Sequence, residues 1–195
     1  MNERVLEMVM ARLREAAATL EDLSQLGSMP VVQAAELITS ALQEGHTILL
    51  FGNGGSAAEA EHIAGELVGK YLLHRQALAA VCLNTNTAIM TAVANDYGYS
   101  HVFARQIEAT GRQGDVAIGL STSGCSLNVV EGLDRARGLG LHTIAMTGRS
   151  GGTLSGIADI CICVPSDSVP RIQEAHLAVG HTICEIVEAS LASAD

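Results

Sequence analysis

Tryptophan is absent from this chain and aromatic residues make up only 3% of it, two Phe and three Tyr, although apolar residues reach 48%. A folded core must therefore be aliphatic, built from Ala, Leu, Ile and Val. Basic residues are scarce: eleven Lys and Arg against 21 Asp and Glu leave a formal charge of −10, and no Lys/Arg cluster occurs. Holding nucleic acid through its phosphates needs the opposite sign, which argues against a nucleic-acid partner. No apolar run approaches the roughly 20 residues that span a bilayer. The start, MNERVLEMVMARLREAA, carries charges throughout and lacks the apolar stretch of a signal peptide. The expectation is a soluble, cytoplasmic protein with no membrane partner. Cysteine is present in an odd number, at 82, 125, 161, 163 and 184, scattered through apparent core segments, which argues against a disulfide framework. Cys161 and Cys163 alternate with isoleucines in DICICV, so both point to one face of an expected strand and read as buried thiols.

What is present is length and pattern. The 195 residues suffice for one domain with a substantial core. Residues 1–195 are read as a single domain: a helical segment over 1–45, a sheet core over 46–165 and a C-terminal helix within 166–195. Val5, Leu6, Val9, Met10, Leu13, Ala17 and Leu20 recur at helical spacing and predict an amphipathic helix over 3–24. A turn around Gly27 and Pro30 separates it from a second helix over 31–44. HTILLFG, ALAAVCLN, DVAIGLST, LHTIAMTG and ADICICVP are short apolar runs bounded by Gly, Asn, Ser or Pro, as in strands buried on both faces. Helical patterns lie between them at 56–70, 86–94, 99–110, 126–138 and 152–157, and a last one covers 170–192. This alternation predicts an α/β fold, a five-stranded parallel sheet with helices on both faces. The helices at the two ends exceed what the sheet needs; their apolar stripes can bury against each other or against another subunit, and an oligomer is the expectation.

Ligands of an open parallel sheet sit beyond the carboxyl ends of its strands. Gly52-Asn53-Gly54-Gly55-Ser56 stands at one such end, where glycines let backbone N–H groups approach a ligand and the next helix offers its positive end to an anion. It lacks the spacing of a dinucleotide fingerprint and the Lys of a P-loop, and a tight turn with no ligand explains it as well. Ser121-Thr122-Ser123-Gly124-Cys125-Ser126 follows DVAIGL and sets four further hydroxyls around one glycine, a neutral anion nest suited to loops without Arg or Lys. N-capping would account for one of those hydroxyls only. Asn95-Asp96 closes the TAIMTAVA helix and reads equally as an Asx stop. His62 and Glu66, four apart, share a helix face and can hold one ion or proton, though a solvated surface pair has the same spacing. RIQEAHLAVGHTICE adds Gln173, Glu174, His176 and His181. Gln173 and His181 are eight positions apart, about 12 Å along a helix, so one ion reaches both only from between them or across subunits.

GNGGSAAEAEHIAGE, ANDYGY, STSGCS, TGRSGG and RIQEAHLAVGH, in that order and over nearly the whole chain, resemble the sugar isomerase (SIS) domain family, and specifically its phosphoheptose isomerases. The resemblance implies a flavodoxin-like sheet and a cytoplasmic homotetramer with sites at subunit boundaries. It implies a sugar-phosphate pocket lined by Asn53, Gly54, Gly55 and Ser56, with Asn95 and Asp96 nearby, and a phosphate held by Ser121, Thr122, Ser123 and Ser126. It implies a zinc ion on His62, Glu66, Gln173 and His181, with Glu66 and Gln173 also at the substrate and Glu66 and His181 as the proton-transfer pair. His176 and Glu174 fall outside that pattern and read as structural. The implied reaction interconverts sedoheptulose 7-phosphate and D-glycero-D-manno-heptose 7-phosphate through an enediol, for surface heptose synthesis. Cys125 departs from the family, which usually carries a small or polar residue there, and no catalytic role is expected of it. Relatives that associate with the bacterial replication initiator are the non-catalytic alternative. They lack the carboxylate one turn after the His, which Glu66 supplies here. An isomerase of another ketose phosphate is the third reading.

Overall fold

The computed structural model of the chain describes residues 3–192. Two leading helices, α1 (Glu3–Leu26) and α2 (Ser28–Gln43), precede β1 (Ile48–Gly52), α3 (Gly55–Val68), β2 (Ala80–Cys82) and α4 (Thr87–Tyr97). Then follow α5 (Ala104–Thr110), β3 (Val116–Ser121), α6 (Leu127–Gly138), β4 (His142–Thr147), β5 (Ile160–Cys163) and α7 (Val169–Ala192). The strands form one five-stranded sheet in the order β2-β1-β3-β4-β5, and every pairing is parallel. The chain leaves β1 toward β2 and returns past it to β3, so the topological switch point, where such sheets bind ligands, lies between β1 and β3.

Apolar side chains on β1 divide by parity, as a period of two requires. Ile48 and Leu50 join Ile38 of α2, Ile63 of α3 and Ile183 of α7 on one side of the sheet. Leu49 and Phe51 join Ile107 of α5 and Leu133 of α6 on the other. Both β1 and β3 are buried along their whole length, as continuous apolar runs predict. The edges depart from that expectation. β2 shrinks to three residues with Val81 47% exposed, and β5 is half-buried with only Ile162 fully covered, because each has a neighbour on one side only.

Several boundaries differ from those the pattern predicts. α2 begins at Ser28 and runs through Pro30, whose missing N–H falls in the first turn where no acceptor exists; the break is at Gly27 alone. α4 continues through Asn95 and Asp96 to Tyr97, and Gly98, at φ 91°, ends it. The expected helix over 99–110 is a 3-10 turn at Tyr99–His101 followed by α5, with Val102 and Phe103 fully buried between them. The expected helix near 152–157 is a 3-10 turn at Leu154–Gly156. Only Thr19 and Leu23 of α1 are buried; Val5, Leu6, Met8, Val9 and Leu13 are each at least 45% exposed.

Candidate active site

Asn53, just past β1, is held by residues far away in sequence. Its Nδ2 donates to Asn128 Oδ1 and its Oδ1 accepts from Asn128 Nδ2, each at 2.8 Å, and Tyr99 Oη donates to the same Oδ1 at 3.0 Å. Asn128, in the first turn of α6, is 4% exposed. This reciprocal amide pair bridges β1 and β3, the two sides of the switch point. Asn84 secures the end of β1, accepting from Gly52 N–H at 3.2 Å and donating to Gly52 C=O at 2.8 Å. Ser56 is buried in the first turn of α3. Gly55 is a close-approach glycine: a Cβ there would stand 2.2 Å from Gln173 Nε2, so the Gln173 amide lies against the loop backbone.

The hydroxyl loop after β3 folds in on itself. Ser121 Oγ lies 2.9 Å from Ser126 Oγ and 3.4 Å from Ser123 Oγ, and Ser123 Oγ accepts from Cys125 N–H at 3.2 Å. Ser126 occupies the N-cap position of α6 yet makes no side-chain cap bond; its hydroxyl serves the cluster instead. Gly124, at φ 66°, brings the loop so close to Gly151 that a Cβ would meet Gly151 O at 2.2 Å. A cavity of about 270 Å³ opens beside it, lined by Thr122, Ser123, Arg149, Ser166 and Asp167 among others. Arg149 thus brings a cation to a nest whose own loop has none. Its Nε donates to Asp167 Oδ2 at 3.0 Å. Cys125 is exposed, with Thr153 Oγ1 3.9 Å from its sulfur.

α3 and α7 run side by side in the same direction, since Gln173 lies opposite Gly55 and Gly180 opposite Ile63. That alignment carries His181 to His62, with Nε2 atoms 2.8 Å apart, and Glu66 Oε1 lies 3.4 Å from His62 Nε2. One ligand atom from each of His62, Glu66 and His181 falls within 4.8 Å of the others. Nitrogens at 2.8 Å cannot both carry a proton toward each other, so the pair presents at least one lone pair inward. Tyr71 stacks on the His181 ring, centroids 5.4 Å apart, and fixes its plane. Gln173 sits at the Gly55 end of the helix pair, about 10 Å along α3 from His62. The neighbouring Cys184 is no nucleophile: burial first, and the Glu66 charge second, push its thiol up to about 12.

Asn95 and Asp96 are exposed on the last turn of α4, Asn95 Nδ2 donating to Asp96 Oδ1 at 2.7 Å. His176 is fully buried, its Nε2 donating to the Thr147 carbonyl at 3.1 Å and its Nδ1 3.6 Å from Glu59 Oε2. Neither Nδ1 nor that carboxylate oxygen has another partner among the described residues. Glu174, exposed on α7, pairs with Arg171, whose side chain is largely buried. Arg75 and Glu188 form a buried ion pair, Nε to Oε1 3.3 Å, with side chains 6% and 2% exposed. Arg75 also donates to the carbonyls of Glu66 and Leu67, the last turn of α3. Glu188 accepts from the N–H groups of Leu72 and Leu73. Together they lock the loop after α3 to α7, at the end where Glu66 stands.

The chain has known relatives. A model of the SIS domain family matches residues 13–148. The phosphoheptose isomerase of Aquifex aeolicus is 49% identical over 184 residues, 94% of this chain and 96% of its own length. That of Akkermansia muciniphila is 52% identical over 158 residues, 81% of this chain and 84% of its own. The solved structure of phosphoheptose isomerase from Neisseria gonorrhoeae superposes with a TM-score of 0.90 at 41% identity, covering 95% of this chain and 99% of that one. The chain belongs to the SIS-domain family and, within it, to the phosphoheptose isomerases.

Proposed function

We propose that this heptose-phosphate isomerase interconverts sedoheptulose 7-phosphate and D-glycero-D-manno-heptose 7-phosphate, with Glu66 and His181 moving the proton between C1 and C2. The observation that carries the reading is the convergence of His62, Glu66 and His181 on paired helices, one of which starts at the Gly52–Ser56 loop. Proton transfer through an enediol needs a base, an acid and a group that stabilises charge on oxygen. Glu66 takes the carbon-bound proton through the carboxylate oxygen that a metal would leave free, and His181 protonates the substrate oxygen from the ring nitrogen that a metal would leave free. The Glu66 carboxylate faces His62 through Oε1, which leaves Oε2 for the substrate.

Two imidazoles and a carboxylate fit a zinc ion, which prefers such donors in a tetrahedral set. His62, Glu66 and His181 would hold it, with Gln173 as the fourth donor after a rearrangement or from a neighbouring subunit. When bound, the ion would polarise the substrate carbonyl. Ser121, Thr122, Ser123 and Ser126, with Arg149 beside them, hold the distal phosphate and so fix the reacting end. Asn53, Gly54, Gly55, Ser56 and Gln173 line the sugar, with Asn95 and Asp96 reaching it from α4.

We read the enzyme as a homotetramer with its sites at subunit boundaries. The apolar stripe left exposed on α1 supports this, as does an apolar groove of about 360 Å³ lined by Leu20, Leu23, Val31, Val179 and Ile186. Five free thiols suit the reducing cytoplasm. Proton NMR of sedoheptulose 7-phosphate turned over in deuterium oxide tests the chemistry. One deuteron at C2 of the aldose product is expected, and Glu66→Gln should end the exchange while leaving a folded protein. Full exchange by Glu66→Gln would remove Glu66 from the reaction.

A further inference from the structure

Cys161 and Cys163 are alternate residues of edge strand β5, and their sulfurs converge to 3.6 Å on one face of the sheet. Both thiols are half-buried. Beneath them, Thr147 Oγ1 lies 3.4 Å from Cys163 Sγ and 3.7 Å from Cys161 Sγ. Above them passes the turn after β4: a Cβ on Gly151 would stand 3.3 Å from Cys163 Sγ. That same turn is bonded to the hydroxyl loop. Gly148 N–H donates to Thr122 C=O at 3.1 Å, and Leu154 N–H donates to Gly124 C=O at 3.0 Å. The dithiol is thus two contacts from the groups that hold phosphate.

We propose that Cys161 and Cys163 form a reversible dithiol–disulfide site, oxidised by low-molecular-weight disulfides, whose closure weakens phosphate binding at the hydroxyl loop. Alternate residues of a strand have Cα atoms about 6.6 Å apart, at the upper limit of the roughly 4.4–6.8 Å that a disulfide spans. The bond can form, but it must draw β5 in, and disulfides closed under such strain are the readily reversed ones. The exchange balances. One thiol, losing its proton, attacks a sulfur of the oxidant and expels one thiol. The second cysteine then displaces the other, so that one disulfide and two cysteines become one Cys161–Cys163 bond and two free thiols. Burial, the largest influence, holds the Cys161 thiol at about 11. Closure is therefore slow at neutral pH and quickens as pH rises. Drawing the sulfurs together takes them from Thr147 Oγ1 and shifts the Gly151 turn, and with it the Thr122 and Gly124 bonds.

The test exposes the full-length protein to oxidised glutathione at pH 8, with peptide mass mapping and kinetics before and after dithiothreitol. The expected product is a peptide lighter by two hydrogens that contains both cysteines. KM for the sugar phosphate should rise about fivefold, the worth of one displaced hydrogen bond, with kcat changing less and dithiothreitol restoring both. The same treatment of Cys161→Ser retains any chemistry at Cys125 and should leave KM unchanged. Inorganic phosphate affinity by titration calorimetry gives the same readout independently of the isomerase reading. Glutathione adducts without a Cys161–Cys163 bond would overturn the proposal, as would a closed bond with unchanged KM and phosphate affinity.

Discussion

Replacing Gly55 with Ala separates folding from function at one atom. The added Cβ would lie 2.2 Å from Gln173 Nε2 and 2.7 Å from its Cδ, while no backbone atom is among its three nearest neighbours. Gln173 must therefore swing away, and a flexible, half-buried side chain can do so cheaply. Gly55 is the first residue of α3, so the helix gains less than the roughly 0.5–1 kcal/mol by which Ala is preferred over Gly in a helix interior. Thermal unfolding should show a Tm equal to or slightly above the parent. Activity should move the other way. Losing one neutral hydrogen bond from the Gln173 amide is worth about 1 kcal/mol, near fivefold; loss of a group that supports a metal typically costs about 10–100-fold. We expect kcat/KM to fall at least tenfold. The Cβ could also block the sugar directly, and a double-mutant cycle decides between the causes. If Gly55→Ala acts by displacing Gln173, it adds little in a Gln173→Ala background. Full activity in Gly55→Ala, or equal losses in both backgrounds, would show that displacement of Gln173 is not the cause.

Glu188→Gln should lower stability by about 3 kcal/mol, because it leaves the Arg75 guanidinium buried without its counter-charge; chemical denaturation measures it. Burial alone would raise the Glu188 carboxyl. The Leu72 and Leu73 N–H groups and Arg75 outweigh it and hold the group below its ordinary value of 4.5. Its contribution is therefore complete above that pH and fades as pH falls through the lower folded value. Wild type should lose Tm more steeply than Glu188→Gln under acid. Asn128→Ala leaves Asn53 Nδ2 without its partner and Oδ1 with the Tyr99 hydroxyl alone, which should cost about 1–3 kcal/mol and raise KM; equal KM would show that the amide pair does not shape the pocket. Leu13→Asp, at a position 67% exposed on α1, should shift the sedimentation mass below that of a tetramer, and an unchanged mass would exclude that face from the interface.

The sheet was legible where strands are central. β1 and β3 read as continuous apolar runs because both faces are covered, and both are fully buried. The run around Val81 looks the same in sequence, yet β2 is a short edge strand, because a sequence does not show which strands lack a neighbour. The helix over 99–110 has the right periodicity, but Tyr99 is held by Asn53 in a tight turn, a contact across 46 positions with no local trace. Asn128 is hidden for the same reason. His62 and Glu66 were visible as a pair at helical spacing. That His181 joins them depends on α3 and α7 lying parallel, which only packing shows. Gln173, one ligand of the expected set, lies opposite Gly55 in the same alignment, as its eight-position distance from His181 requires of a straight helix. Cys161 and Cys163 do share a face, as alternation predicts, but an edge strand leaves them half-exposed rather than buried.

The most direct test of a metal-assisted isomerase is turnover of sedoheptulose 7-phosphate by purified protein, before and after a chelator and again with zinc restored. Formation of the heptose 7-phosphate, its loss on chelation and its return with zinc are expected. A folded, zinc-supplied protein that leaves this substrate untouched, or one whose turnover ignores the chelator, would contradict that expectation.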